Sequence, residues 1–370
     1  MMPEIGSSFW MDPAVGIRAG TGEGNGSPLT LSGFGISGSD EVFLSTGRAA
    51  QGMALDEIRR RNPAAGRRAL LPPFTCHTVV EPFLARGYEI FPCPVDDSLR
   101  TAPEALRDAV EVSGADVVLL HRYFGFETLA GCGGVVESLR GKGVVFLEDR
   151  TQSLFSGWPA LPADYIVGSL RKWAGMPDGG YVFCREGLFP EKPDVYDEAL
   201  TAAAIRASAA KYEYIFHARG EKQAMLDLFA EAENILDSEN GVYRISPVSE
   251  RAFRALDRTA LIKRRRANYR VIYEGVRGLP WIRPITGALT DRDVPLYCPL
   301  WVKDRAALQS SLREHRIYAP VVWPRPETLP PVCGAAEEIY SHILCIPVDQ
   351  RYGEDDMERI VRHITEQDQE

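Results

Sequence analysis

Residues 164–184 read DYIVGSLRKWAGMPDGGYVFC. An apolar run, 165–167, opens the stretch, and a second, 181–183, closes it. Runs rich in aromatic and β-branched residues and bounded by glycine read as strands. Between them lies one lysine, Lys172, with Ser169 three residues before it and Pro177-Asp178-Gly179-Gly180 after it. Lysine normally occupies solvated faces, so a lysine in a tight loop between two strands asks for a chemical reason.

Working outward, the same alternation fills the chain upstream. EVFLSTGRAAQGMALDEIRRR (41–61) reads as strand, Ser-Thr-Gly turn and helix, and RALLPPFTCHTVVEPFLARG (68–87) repeats that order. YEIFPCPVD (88–96), ADVVLLHRYFG (115–125) and VVFLEDRTQS (144–153) read as further strands, with helices at 102–114 and 133–143. Strands alternating with helices imply βαβ units, hence a mostly parallel sheet flanked by helices. In such sheets ligands bind outside the carboxyl ends of the strands. From about residue 195 the apolar spacing becomes helical, and 294–367 read as a smaller α/β unit with a closing helix. The expected organisation is an arm at 1–40, a large domain at 41–245 and a small C-terminal domain at 246–370. The Gly-x-Gly spacings of residues 19–40 have no strand before them and no helix straight after, so they read as a flexible or extended arm. The run Lys263-Arg264-Arg265-Arg266 reads as a solvated helix face.

The 370 residues carry a net charge of −9, which argues against nucleic acid as the main partner. Seven scattered cysteines with no Cys-x-x-Cys pair argue for reduced thiols and no zinc site, so no metal is expected. No signal-like segment and no apolar run long enough to span a bilayer occurs; the expectation is a cytoplasmic protein without membrane contact.

Three strand ends supply the chemistry. Asp149 ends the run VVFLED, Ser169 and Lys172 follow YIVG, and Ser45-Thr46-Gly47 opens a helix. A helix start offers free N–H groups and partial positive charge to a phosphate. A partly desolvated lysine near other cations becomes a nucleophile toward an aldehyde. A carboxylate at a neighbouring strand end can keep a pyridine nitrogen protonated. Pyridoxal 5'-phosphate asks for all three. Alone, each residue has a plain structural reading: Asp149 as a turn residue, Lys172 as a surface lysine.

The chain resembles the DegT/DnrJ/StrS-type sugar aminotransferases, fold-type-I pyridoxal phosphate enzymes, over roughly residues 41–370. STGRAA resembles that family's phosphate turn, LPPFTCHTVVEPFLARGYEIFPCPVD its following strand, helix and strand, FLEDRTQSL its Glu-Asp-x-x-Gln block, and SLRKWAGMPDGGYVF its lysine loop. The resemblance implies that Lys172 bonds the cofactor aldehyde and Asp149 partners the ring nitrogen. It places Gln152 beside the phenolic oxygen, and Gly47, Arg48 and Ser169 around the phosphate. Cys76 or His77 falls where an aromatic ring stacks on the cofactor; His77 suits stacking better, and a buried structural histidine is equally open. Val167 and Ser169 stand five and three residues before Lys172, where many members carry Ser and His, which marks a divergent branch. His121, at the end of VVLLH, reads as a structural histidine. Trp323 and Arg325, in IYAPVVWPRP (317–326), are expected on the substrate side. The implied activity is transfer of an amino group from an amino acid, glutamate being plausible, to a nucleotide-linked keto-sugar in polysaccharide or secondary-metabolite biosynthesis, by a homodimer. A pyridoxal-phosphate sugar lyase or dehydratase, and a non-catalytic sugar-nucleotide-binding relative, are the competing readings.

Overall fold

The computed structural model describes residues 4–11, 29–36, 38–238, 241–331 and 334–367. The glycine-rich spacings of the arm fall largely outside the described residues, as does Cys333. The strands are β1 (Ile5–Gly6), β2 (Asp40–Leu44), β3 (Arg68–Leu71), β4 (Glu89–Pro92), β5 (Val117–His121), β6 (Val145–Asp149), β7 (Tyr165–Ser169), β8 (Gly180–Cys184), β9 (Ile282–Pro284), β10 (Tyr297–Val302), β11 (Ile317–Tyr318) and β12 (Ile343–Pro347). Seven of them form one sheet in the order β2-β8-β7-β6-β5-β3-β4.

Strands β3 to β7 run parallel, whereas β8 is antiparallel to both β7 and β2. The reversal follows from chain length. Only residues 170–179 link β7 to β8, too few for the crossover of about a dozen or more residues that a parallel return requires. The lysine loop is therefore a hairpin connection at the carboxyl ends of the parallel strands.

Helices α1 (Gly47–Arg61), α2 (His77–Leu84), α3 (Pro103–Ser113) and α4 (Cys132–Arg140) cover the sheet. Alternation along each strand sorts its side chains between two faces. Leu119, Leu147, Val167 and Val182 pack with Ala50, Ala54 and Leu55 of α1. Val118, Leu120 and Phe146 pack with Leu106 and Val110 of α3 and Val135 and Val136 of α4. This is the mostly parallel, helix-flanked sheet expected from the sequence.

Beyond β8 come α5 (Glu198–His217), α6 (Lys222–Asp237), α7 (Pro247–Arg254) and α8 (Arg258–Val276). A three-stranded antiparallel sheet, β12-β10-β9, follows, accompanied by α9 (Arg305–Glu314), α10 (Ala335–His342) and α11 (Glu354–Glu366). The short β1 pairs in parallel with β11, Ile5 opposite Ile317. No described helix is long and apolar enough to cross a membrane.

The basic run on α8 is not a uniformly solvated face. Arg265 is fully buried, its guanidinium donating to the carbonyls of Pro295 and Leu296 and lying 4.7 Å over the Trp173 ring. It shares the buried side of α8 with Leu261, Asn268 and Tyr269. Carbonyl acceptors compensate the burial of the cation.

Candidate functional site

The register of the sheet assembles the site. Asp149 lies opposite His121 across the β5–β6 ladder and opposite Val167 across β6–β7. Alternation puts His121, Asp149 and Ser169 on the α1 side of the sheet, at the strand ends. His121 and Asp149 are both buried, with Nδ1 of the histidine 3.4 Å from Oδ2 of the aspartate. The Thr75 hydroxyl, just past β3, is 2.8 Å from His121 Nε2. A carboxylate only accepts, so Nδ1 carries the proton and Nε2 accepts from Thr75. Burial pushes His121 below the usual imidazole range, and the Asp149 charge only partly opposes this. The imidazole lies beside one carboxylate oxygen, while the Thr151 amide, donating over 2.7 Å, holds the other.

Thr151 also joins the aspartate segment to the lysine loop. Its hydroxyl accepts from the Ser169 amide at 3.1 Å, and its carbonyl accepts from the Trp173 indole at 2.8 Å. Lys172 therefore lies between two residues pinned to the chain just past Asp149. Crowding by protein and the neighbouring Arg171 guanidinium push its amine below the ordinary lysine range, while Cys76 and Glu233 pull the other way. The side chain is open to solvent because it lines a cavity; enough protein still surrounds the amine to strip part of its hydration, so the downward direction holds.

The Ser45-Thr46-Gly47 turn packs on the end of β7. A Cβ added to Gly47 would sit 3.3 Å from the Ser169 Cβ, and one added to Gly180 only 2.1 Å from the Thr46 carbonyl oxygen. Thr46 caps α1 by accepting from the Ala49 amide. The preceding amides, of Gly47 and Arg48, have no carbonyl one turn back, as at any helix start. Ser169 donates its hydroxyl to the Gly179 carbonyl at 3.3 Å.

Not every residue singled out in the sequence joins this group. Arg48 turns its guanidinium to Glu81 (3.1 Å) and Asp237 (2.8 Å), so its charge is already compensated. His77 is 60% exposed on the first turn of α2 and faces Glu81. Cys76 is the half-buried cap of that helix, its thiol 3.0 Å from the Thr78 hydroxyl. Gln152 is buried, its amide oxygen accepting from the Phe124 N–H at 2.8 Å, which points its NH2 end elsewhere. Trp323 reaches the site's edge, stacked on His121 with ring centres 6.2 Å apart and tilted against Phe74 at 5.6 Å. Arg325 is exposed and donates to the Pro330 carbonyl.

His121, Thr75 and Thr151 are the residues that sequence reasoning passed over. A signal for His121 was present: VVLLH and VFLED are five-residue strands whose last residues fall on the same face. The cavity that Lys172 lines has a volume of about 430 Å3, and Asp149, Gly47 and Ser169 are not on its wall.

No family model matches the chain, and no curated protein matches it in sequence. Solved structures do match over nearly its whole length. The sugar aminotransferase CalS13 from Micromonospora echinospora superposes with a TM-score of 0.67 at 18% identity, covering 98% of this chain and 99% of its own. PseC of Helicobacter pylori, an aminotransferase involved in the biosynthesis of pseudoaminic acid, gives 0.70 at 12% identity, covering 98% of each chain. Spr1654 from Streptococcus pneumoniae, a candidate sugar aminotransferase, gives 0.67 at 14% identity in its PLP form, covering 97% of each chain, and is also solved in a PMP form. The chain therefore has the fold of the fold-type-I pyridoxal-phosphate aminotransferases. It shares that fold, at low identity, with sugar aminotransferases of the DegT/DnrJ/EryC1/StrS type.

Proposed function

We propose that the protein is a pyridoxal-phosphate-dependent aminotransferase acting on a nucleotide-linked keto-sugar, with glutamate as amino donor. The reading is supported by three features at the carboxyl ends of neighbouring strands: a buried carboxylate ending β6, a lysine of lowered basicity in the β7–β8 loop, and a helix start that packs on Ser169 at the end of β7. The donor set fits the cofactor: an amine for its aldehyde, a carboxylate for its ring nitrogen, and two helix-start amides with the Ser169 hydroxyl for its phosphate. The Gly47 approach to Ser169 leaves that cradle free of side chain. When bound, the cofactor supplies an electron-withdrawing ring that stabilises negative charge at the substrate carbon.

The residues' own tasks follow from their surroundings. Asp149 holds the proton at the ring nitrogen, and His121 keeps the carboxylate aimed. Lys172 Nζ, made less basic by its neighbours, can take and return a proton at the substrate carbon near neutral pH. Gly47 and Arg48 would bind the phosphate through their amides, and the NH2 end of Gln152, whose oxygen is engaged by Phe124, would be the end available to the phenolic oxygen. In the same reading residues 41–245 carry the cofactor, 246–370 form the substrate-side domain, and the protein acts as a cytoplasmic homodimer. The likeness to sugar aminotransferases supports the substrate class.

Absorbance tests the proposal. Wild-type protein mixed with pyridoxal phosphate gains a band at the violet edge, and Lys172→Ala does not. Glutamate then bleaches the band with release of 2-oxoglutarate, and a nucleotide-linked keto-sugar restores it. Wild-type protein that stays colourless at saturating cofactor rejects the reading.

A further inference from the structure

The cavity beside Lys172 is unusual for this chain in its charge. The protein as a whole carries −9, yet five cationic and only two acidic residues line this one space. Such a cavity concentrates positive potential. Its cations are not equally available. Arg351 is bound to both oxygens of Asp349 and donates to the carbonyls of Ser7 and Ser8. Arg265 is consumed by the carbonyls already described. Arg171 faces Glu233 at 3.7 Å, beyond ordinary hydrogen-bond reach. Arg313, on α9, makes no ion pair or side-chain hydrogen bond among the described residues.

The opposite wall is fixed. Residues 7–9 line the cavity, and Lys211 of α5 donates to the Ser7 hydroxyl at 2.8 Å. The Tyr352 hydroxyl bonds both the amide and the carbonyl of Gly6. Gly175, in the lysine loop, allows the approach of this segment, since a Cβ there would lie 2.3 Å from the Trp10 carbonyl oxygen. A segment held at residues 6–8 and a guanidinium with no ion pair or side-chain hydrogen bond among the described residues thus line one space with Lys172.

The geometry points to an anion subsite in this cavity, with Arg313 anchoring a carboxylate or diphosphate of a substrate. This rests on the aminotransferase reading and adds to it the group by which substrate is held. A guanidinium pairs with either anion through two parallel N–H donors, so the two sources share one chemistry.

The test is calorimetric titration of the cofactor-loaded protein with 2-oxoglutarate and, separately, with UDP-glucose, using wild type, Arg313→Gln and Arg313→Lys. Arg313 is exposed, so neither variant endangers folding. Loss of one charge-assisted contact weakens binding about tenfold or more in Arg313→Gln, and Arg313→Lys recovers part of it. A loss confined to 2-oxoglutarate assigns the subsite to the dicarboxylate; a loss confined to UDP-glucose assigns it to the diphosphate. Unchanged affinity for both probes, or binding of neither by wild type, overturns the subsite. A colourless wild type whose anion binding still depends on Arg313 refutes the aminotransferase reading and leaves the subsite standing.

Discussion

Gly180→Ala is the substitution that most directly probes the phosphate turn. The added methyl would lie 2.1 Å from the Thr46 carbonyl oxygen and 2.7 Å from the Gly47 nitrogen. Ordinary Cβ contacts begin at 3.4 Å, so the turn must retreat by about 1.3 Å. Both sides of that contact are backbone, in a close-packed region where no flexible side chain can yield. A retreat of this size carries the Gly47 and Arg48 amides off their position at the end of β7. Losing one charge-assisted hydrogen bond costs about 1.5–3 kcal/mol, or roughly 10- to 150-fold in cofactor affinity. Overpacking adds about 1–3 kcal/mol of lost fold stability. Titrating the violet band against cofactor concentration measures the first quantity, and urea unfolding of the cofactor-free protein the second. Gly134→Ala is the matched control: nothing lies within 4 Å of its added methyl, and helix propensity favours it by up to about 1 kcal/mol. A Gly180→Ala protein with wild-type affinity and stability refutes the claim that this glycine sets the turn.

His121→Phe keeps an aromatic ring but loses the hydrogen bond to Thr75 and the polar contact with Asp149; kcat falls about tenfold or more with KM for the donor little changed, and unfolding free energy drops by about 1–3 kcal/mol. Equal shifts in kcat and KM, or none, remove the positioning role. Lys211 supplies a pH dependence. Burial, with Arg351 and Lys222 nearby, lowers its amine to about 7, against the opposing pull of Glu4 and Asp349. The folded-state value lies below the unfolded one, near 10.4, so the penalty for burying the ammonium is full below pH 7 and fades as pH rises toward 10. Stability from this group therefore climbs by up to about 1.4 kcal/mol per pH unit above 7. Urea midpoints taken between pH 6 and 9 show the slope in wild type and a flatter profile in Lys211→Met; parallel profiles discard the assignment.

Much of the sheet was legible because its signals are local. The strands β3 to β7 are short apolar runs bounded by turn residues, and ten linking residues between β7 and β8 dictate a reversal. The Asp149 and Lys172 segments were legible because each ends a strand. What escaped depends on partners distant in sequence. His121 looks structural until the β5–β6 register sets it beside Asp149. Arg265 looks solvated until Trp173 and two carbonyls from residues 295 and 296 close over it. His77 was the chemically better stacking group, yet the first turn of α2 leaves it largely exposed beside Glu81. Arg48 was read as a phosphate charge, and no local pattern announces Glu81 and Asp237 as its partners.

The bond from the Gly6 amide to the Tyr352 hydroxyl spans 346 positions. Closing so long a loop is entropically slow to achieve and comes after local structure has formed. A nascent chain that has not yet extended beyond residue 352 lacks the bonds from Arg351 and Tyr352 to residues 6–8 and retains there the bond from Lys211 to Ser7. The space beside Lys172, whose wall includes Pro347, Asp349 and Arg351, is consequently complete only once residue 351 has been made.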